Sequence, residues 1–85
     1  MKRPNALKKL VDFLEKLESL KIHYALEHNR SDSIMVLVAV PGERWEIEFF
    51  PDGHIEVEVF SRSKGVSSGR TAWQSVERML ARNKD

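Results

Sequence analysis

The stretch RWEIEFFPDGHIEVEVF, residues 44–60, alternates apolar and acidic side chains, turns, and alternates again. Alternation of this kind marks a half-buried strand, because successive side chains point to opposite faces. Two such strands joined by a tight turn commit this part of the chain to an antiparallel hairpin with one apolar and one acidic face. Residues directly opposite one another share a face, so Trp45, Ile47 and Phe49 must match Val59, Val57 and Ile55. That register sets Phe50 opposite His54 and leaves Pro51-Asp52-Gly53 as the loop. Three-residue hairpin loops are typically a type I turn followed by a left-handed residue. Proline suits the first turn position, and glycine takes the left-handed one without steric cost. Face parity and turn chemistry arrive at the same pairing.

The same register stacks Glu48 opposite Glu56 and Glu46 opposite Glu58. Like charges directly opposite cost about a few tenths of a kcal/mol per pair. The preceding run, IMVLVAV at 34–40, is a strand by its β-branched content and is broken by Pro41-Gly42. Its expected pairing sets Val40 opposite Trp45, with Ala39 beside Glu46, Leu37 beside Glu48 and Met35 beside Phe50. The face so assembled carries Glu46, Glu48, Glu56 and Glu58, bordered by Met35, Leu37, Phe50 and Phe60. Arg44, opposite Phe60, is the hairpin's one base there, and Lys21 and His23 add positive charge from an outer strand.

Residues 5–18, NALKKLVDFLEKLE, form an amphipathic helix with Leu7, Leu10, Val11, Leu14 and Leu17 as its stripe, Phe13 at the edge and Asn5 as N-cap. LKIHYALEH, 20–28, alternates as a strand, although a period of 3.6 would instead extend the helix. The strand is favoured, since the helical stripe fades beyond Leu17 and Ile-His-Tyr is poor helix material. NRSDS, 29–33, reads as a turn, and SRSKGVSSG, 61–69, as a polar loop in which Val66 alone hints at a return strand. TAWQSVERMLAR, 71–82, is a second helix, capped by Thr71 or Ser68, with Trp73, Val76, Met79 and Leu80 on its apolar face. Sequential elements joined by short turns usually pair. The expected architecture is therefore α+β: an N-terminal helix, a four-stranded antiparallel meander and a C-terminal helix. Both helices cover one sheet face and leave the acidic face open. Trp45 and Trp73, helped by Tyr24, dock the meander against the last helix.

The 85 residues are expected to form a single compact domain, 1–85, with a thin core that dimerisation would enlarge. The chain has no cysteine, which removes disulfides, thiolate nucleophiles and thiolate zinc sites. That fits a cytoplasmic protein. MKRPN is basic but precedes a polar helix, so a signal peptide is not expected, and no apolar run has bilayer-spanning length. A net charge of +1 hides an asymmetry: residues 43–58 hold six acids against Arg44, and residues 60–84 hold six bases against Glu77.

Flat adjacent strands do not wrap a small cation, and no loop has oxygen-ligand spacing, so no metal or other cofactor is expected. Acid–base catalysis needs carboxylates in a cleft with separated pKa values, which an open sheet face does not offer. The chain is therefore read as not an enzyme, with a small-molecule enzyme kept as a last alternative. His23, His28 and His54 share no ligand spacing. SRSKGVSSGR lacks a P-loop fingerprint. Nucleic-acid binding through the basic 62–84 region, with Arg62, Lys64 and Arg70, is a further alternative that the modest net charge and acidic hairpin disfavour. Arg78, Arg82 and Lys84 complement the helix C-terminus. Apolar side chains beside carboxylates suit a protein with a basic, partly apolar surface, or self-association burying Met35, Leu37, Phe50 or Phe60. Lysine at Glu48 and Glu56 is expected to abolish such a complex and spare the fold. The bland alternative is a solvated acidic face with no role.

Residues 22–65, and above all IMVLVAVPGERWEIEFFPDG at 34–53, resemble a group of small uncharacterised bacterial proteins. The resemblance implies a compact cytoplasmic α/β domain and names no reaction. Some small bacterial genes of this size encode immunity or antitoxin partners, so it also implies an inhibitor of a basic toxin or nuclease as one form of the protein-binding reading.

Overall fold

The computed structural model describes residues 5–61, 65–69 (as backbone) and 73–83. Helix α1 spans Ala6–Ser19, followed by strands β1 His23–Arg30, β2 Ser33–Val40, β3 Glu43–Phe49, β4 Ile55–Ser61 and β5 Gly65–Gly69, then helix α2 Trp73–Arg82. The strands form one antiparallel sheet in chain order, β1-β2-β3-β4-β5. The expected helix–meander–helix architecture is present, and β5 extends the meander by one strand, with Val57 opposite Gly69 and Ser61 opposite Gly65.

Helix α1 starts where Asn5 Oδ1 accepts from the Lys8 amide at 2.9 Å, as its N-cap role requires. It stops in a Schellman motif. Lys21 takes a left-handed φ of 60°, its N–H donates to the Glu18 carbonyl at 3.1 Å, and the Ile22 N–H donates to the Leu17 carbonyl at 2.9 Å. A non-glycine residue there costs about 1–2 kcal/mol. The two hydrogen bonds offset it, together with the burial of both Leu17 and Ile22. This settles the segment after the helix: residues 20–22 are the helix cap, and the strand starts at His23 and runs past the expected turn at 29 and 30 to Arg30.

The β3–β4 hairpin has the register expected from parity, with Trp45 opposite Val59, Ile47 opposite Val57 and Phe49 opposite Ile55. Gly53, at φ 93°, closes the loop. Its N–H donates to the Phe50 carbonyl at 2.9 Å, and the Phe50 N–H donates to the His54 carbonyl at 3.1 Å. The β2–β3 register differs from expectation by two residues. Val40 pairs with Glu43, Val38 with Trp45, Leu37 with Glu46 and Met35 with Glu48. Pro41 and Gly42 alone make the turn. Gly42 has φ 78°, the left-handed second position of a type II turn that proline initiates. A shift of two preserves which side each residue faces, so the faces stand as expected while the neighbours change.

One face carries the core: Val36, Val38, Trp45, Ile47, Phe49 and Val57 from the sheet, Phe13 and Leu17 from α1, and Val76, Met79 and Leu80 from α2. Helix α1 docks rotated from its expected stripe. Phe13 is buried, while Leu7 is 69% exposed and Val11 is 42% exposed. The cause is an aromatic cluster, in which the Phe13 ring lies 5.6 Å from Phe49 and 5.4 Å from Trp73. A helix cap at Ser68 is ruled out by its place in β5, and Thr71 lies outside the described residues.

Candidate functional site

The acidic face is the side of the sheet away from the helices. Its geometry follows from the hairpin: Glu46 lies opposite Glu58, Glu48 opposite Glu56 and Arg44 opposite Phe60. The four carboxylates nevertheless occupy different environments. Glu56 and Glu58 are exposed, Glu46 is partly covered, and Glu48 is only 5% exposed. Glu48 sits on the middle strand of the sheet, flanked by Met35 and Glu56, so its neighbours on both sides remove it from water.

A buried carboxylate needs hydrogen-bonding and charged partners, and Glu48 has both. The Ser33 hydroxyl donates to its Oε2 at 2.5 Å, and Arg30 Nε lies 3.6 Å from the same oxygen. Arg30 reaches this face because β1 carries a bulge. Glu27 pairs with Met35, but Arg30 pairs with Ser33, so one extra residue intervenes in β1. The extra residue shifts the alternation and brings an even-numbered side chain onto the face of the odd-numbered ones.

Internal basic side chains stand beside three of the four carboxylates, His54 acting as a cation when protonated. Arg44 Nε lies 3.5 Å from Glu46 Oε2, and His54 Nε2 lies 3.6 Å from Glu56 Oε2. Among the described residues, Glu58 is the one carboxylate of the four with no cationic partner. The apolar border is likewise partly closed. Phe50 is 8% exposed, its ring stacked on His54 at 4.2 Å with the Arg30 guanidinium 6.0 Å from its centroid. Met35, Leu37 and Phe60 are half-buried, and Arg44 covers Phe60 at 4.4 Å from its centroid.

Two of the eight residues assigned to an open binding face are therefore corrected: Glu48 and Phe50 are buried within the fold. Glu46, Glu56, Glu58, Met35, Leu37 and Phe60 remain at the surface. Lysine at Glu48 would place a second cation beside Arg30, so this substitution is a test of folding and not of binding. Arg30 is not foreseeable from the sequence because the bulge between Glu27 and Arg30 interrupts no apolar alternation, and Ser33 starts β2 where a turn over 29–33 is expected. Arg62, Lys64, Arg70 and Lys84 lie outside the described residues. Of the remaining helix bases, Arg78 donates to Ser75 Oγ at 3.1 Å and Arg82 pairs with Glu43 at 3.3 Å.

At the hairpin tip, Asp52 Oδ1 accepts from the His54 backbone N–H at 3.0 Å and lies 2.5 Å from His54 Nδ1. The side-chain contact with Asp52 raises the His54 pKa above the ordinary histidine value of 6.5, with Glu56 adding a smaller push. The backbone bond and then the imidazole hold Asp52 below the ordinary carboxylate value of 3.8. The His54 contribution to stability is complete below 6.5 and is lost as pH rises through the raised pKa. The Asp52 contribution is complete above 3.8 and is lost as pH falls through the lowered pKa. NMR titration of the His54 ring should give a midpoint above the ordinary value, and Asp52→Asn should bring it down. A midpoint unmoved by that substitution would contradict the pairing.

Among the described residues, no group of three or more histidines, aspartates and glutamates is placed to hold a metal, and no helix is long and apolar enough to cross a membrane. A depression of about 490 Å³ lies between the helices, lined by Phe13, Trp73, Lys9 and Lys16 among others, away from the four glutamates. No family model, curated protein or solved structure matches the chain.

Proposed function

We propose that this chain is a protein-binding domain whose contact surface is the acidic sheet face, centred on Glu58 and Glu46 with Leu37 and Phe60 beside them and Glu56 and Met35 at the margin. The observation that carries the reading is the uneven compensation of the carboxylates. Glu46 and Glu48 have arginine partners and Glu56 has His54, whereas exposed Glu58 has no basic partner among the described residues. An external arginine or lysine would relieve the Glu46–Glu58 repulsion, and half-buried apolar neighbours would supply desolvated contact. The partner is a protein with a basic, partly apolar surface. The lack of cysteine supports a cytoplasmic setting, and the reading involves no catalytic step. Inhibition of a basic toxin or nuclease is a narrower form of it.

The test is affinity capture from the native cell with three forms of the protein: wild type, Glu56→Lys/Glu58→Lys, and Glu77→Lys as an acid-to-base control on α2. All three should fold, since these side chains are exposed. The expected result is a basic partner that the wild type and the control retain and the double variant loses. Equal retention by all three forms would refute the proposal.

A further inference from the structure

We infer that the free edge of β1 pairs with β1 of a second copy, about a two-fold axis at Ala25, to make one continuous antiparallel sheet across two chains. The inference stands apart from the acidic face and uses a different surface. Strand β1 is the sheet margin, with β2 on one side only. In an antiparallel ladder alternate residues direct their N–H and C=O to one neighbour and the rest direct theirs away, so an edge strand offers a row of unpaired groups. Natural edges are commonly blunted by proline or inward-pointing charge. The regular part of this one, His23–Glu27, has no proline, and its helix-side residues are Tyr24 and Leu26.

The exposed apolar side chains gather at the same edge. Leu7, Val11 and Leu26 are the large hydrophobic residues exposed among those described. They are brought together by α1 lying along β1. Glu18 accepts from the Tyr24 hydroxyl at 2.5 Å, and Leu7 and His28 line one depression. Leu26 lies between Tyr24 and His28 on the strand, and Val11 lies between Leu7 and Glu18 on the helix.

Charge selects a second copy as the occupant. In a symmetric antiparallel pair opposite residues share a face, so the axis must pass a single residue. With the axis at Ala25, His23 lies opposite Glu27 of the second copy, and the reverse pair repeats it. Tyr24 then meets Leu26 on the helix side. The bond from Asn29 Nδ2 to Glu27 Oε1, 3.0 Å, leaves the other carboxylate oxygen for the imidazole. Other axes fit worse. At Glu27 the two carboxylates oppose each other. At Leu26 the ladder runs into the bulge between Glu27 and Arg30. At Tyr24 the carboxylate meets Lys21, whose φ of 60° takes it off the strand. With the axis at Ala25, the helices of both copies lie on one side of the joined sheet and the two acidic faces on the other.

Sedimentation equilibrium should show a dimer of the full chain. His23→Glu, which sets two acids opposite each other at both ends of the seam, should raise the dimer Kd by about tenfold or more. Adding Glu27→Lys to His23→Glu should restore association. All these side chains are exposed, and circular dichroism checks the fold. The chain has no cysteine, and paired strands hold opposite Cα atoms about 4.5–5.5 Å apart, within disulfide reach. Ala25→Cys should therefore cross-link to itself on oxidation, and Ala39→Cys, exposed one strand away, should not. A wild type that stays monomeric at every concentration would overturn the inference. So would equal cross-linking of the two cysteine variants, or association indifferent to His23→Glu.

Discussion

Glu48→Lys is expected to destabilise the domain by about 3–5 kcal/mol, the usual cost of leaving a buried charge without its counter-charge. The ammonium would sit at a position 5% exposed, beside Arg30 in place of the carboxylate it pairs with, and opposite a Ser33 hydroxyl that has lost its acceptor. Small domains hold about 5–15 kcal/mol in all, so the variant should be partly unfolded at 37 °C. Glu58→Lys, exposed on the same face, should change stability by less than about 0.5 kcal/mol. Ser33→Ala isolates the hydrogen-bond part and should cost about 1–3 kcal/mol. Urea denaturation followed by far-ultraviolet circular dichroism measures all three. Equal midpoints for the lysine variants at 48 and 58 would show that Glu48 is not buried as described.

Ile47→Ala should cost about 2–5 kcal/mol, from lost apolar transfer and the cavity left behind. Ile47 is fully buried at the centre of the core, between Val36 on β2 and Val57 on β4. Little around it can collapse into the space, because both ladders hold their strands in place. Leu7→Ala removes a similar volume at a position 69% exposed and should change stability by less than about 0.5 kcal/mol. Thermal unfolding separates them: each kcal/mol is worth about 4–8 °C in a domain of this size, so the Ile47 variant should melt at least about 8 °C lower. A shift below about 4 °C would mean that this part of the core repacks freely.

The β3–β4 hairpin was legible because two independent constraints met. Parity decided which residues share a face, and Pro51-Asp52-Gly53 decided the loop length. The β2–β3 register was legible only to within an even shift. Parity is blind to a slip of two, and the compact Pro41-Gly42 turn made the choice. The bulge in β1 was not legible. His28 and Asn29 are both polar, so the inserted residue interrupts no apolar alternation, and the buried Glu48 could not be told from its exposed neighbours. Helix α1 offered two adjoining stripes, with Leu7 and Val11 on one flank and Phe13 on the other. The choice between them rests on Phe49 and Trp73, which are distant in the chain. Strand β5 has too short and too small-residued a sequence to alternate visibly.

The order of strands across the sheet also bears on how the chain finds this structure. Every ladder joins neighbours in sequence, so each strand closes a short loop onto the one before it, and closure entropy grows with loop length. The expensive encounter is the one between the two ends, where Phe13 of α1 meets Trp73 of α2. Local contacts favour rapid folding. The search cost therefore concentrates in seating the last helix, and Trp73, partly buried and covered by that event, carries an optical signal distinct from Trp45 within the sheet.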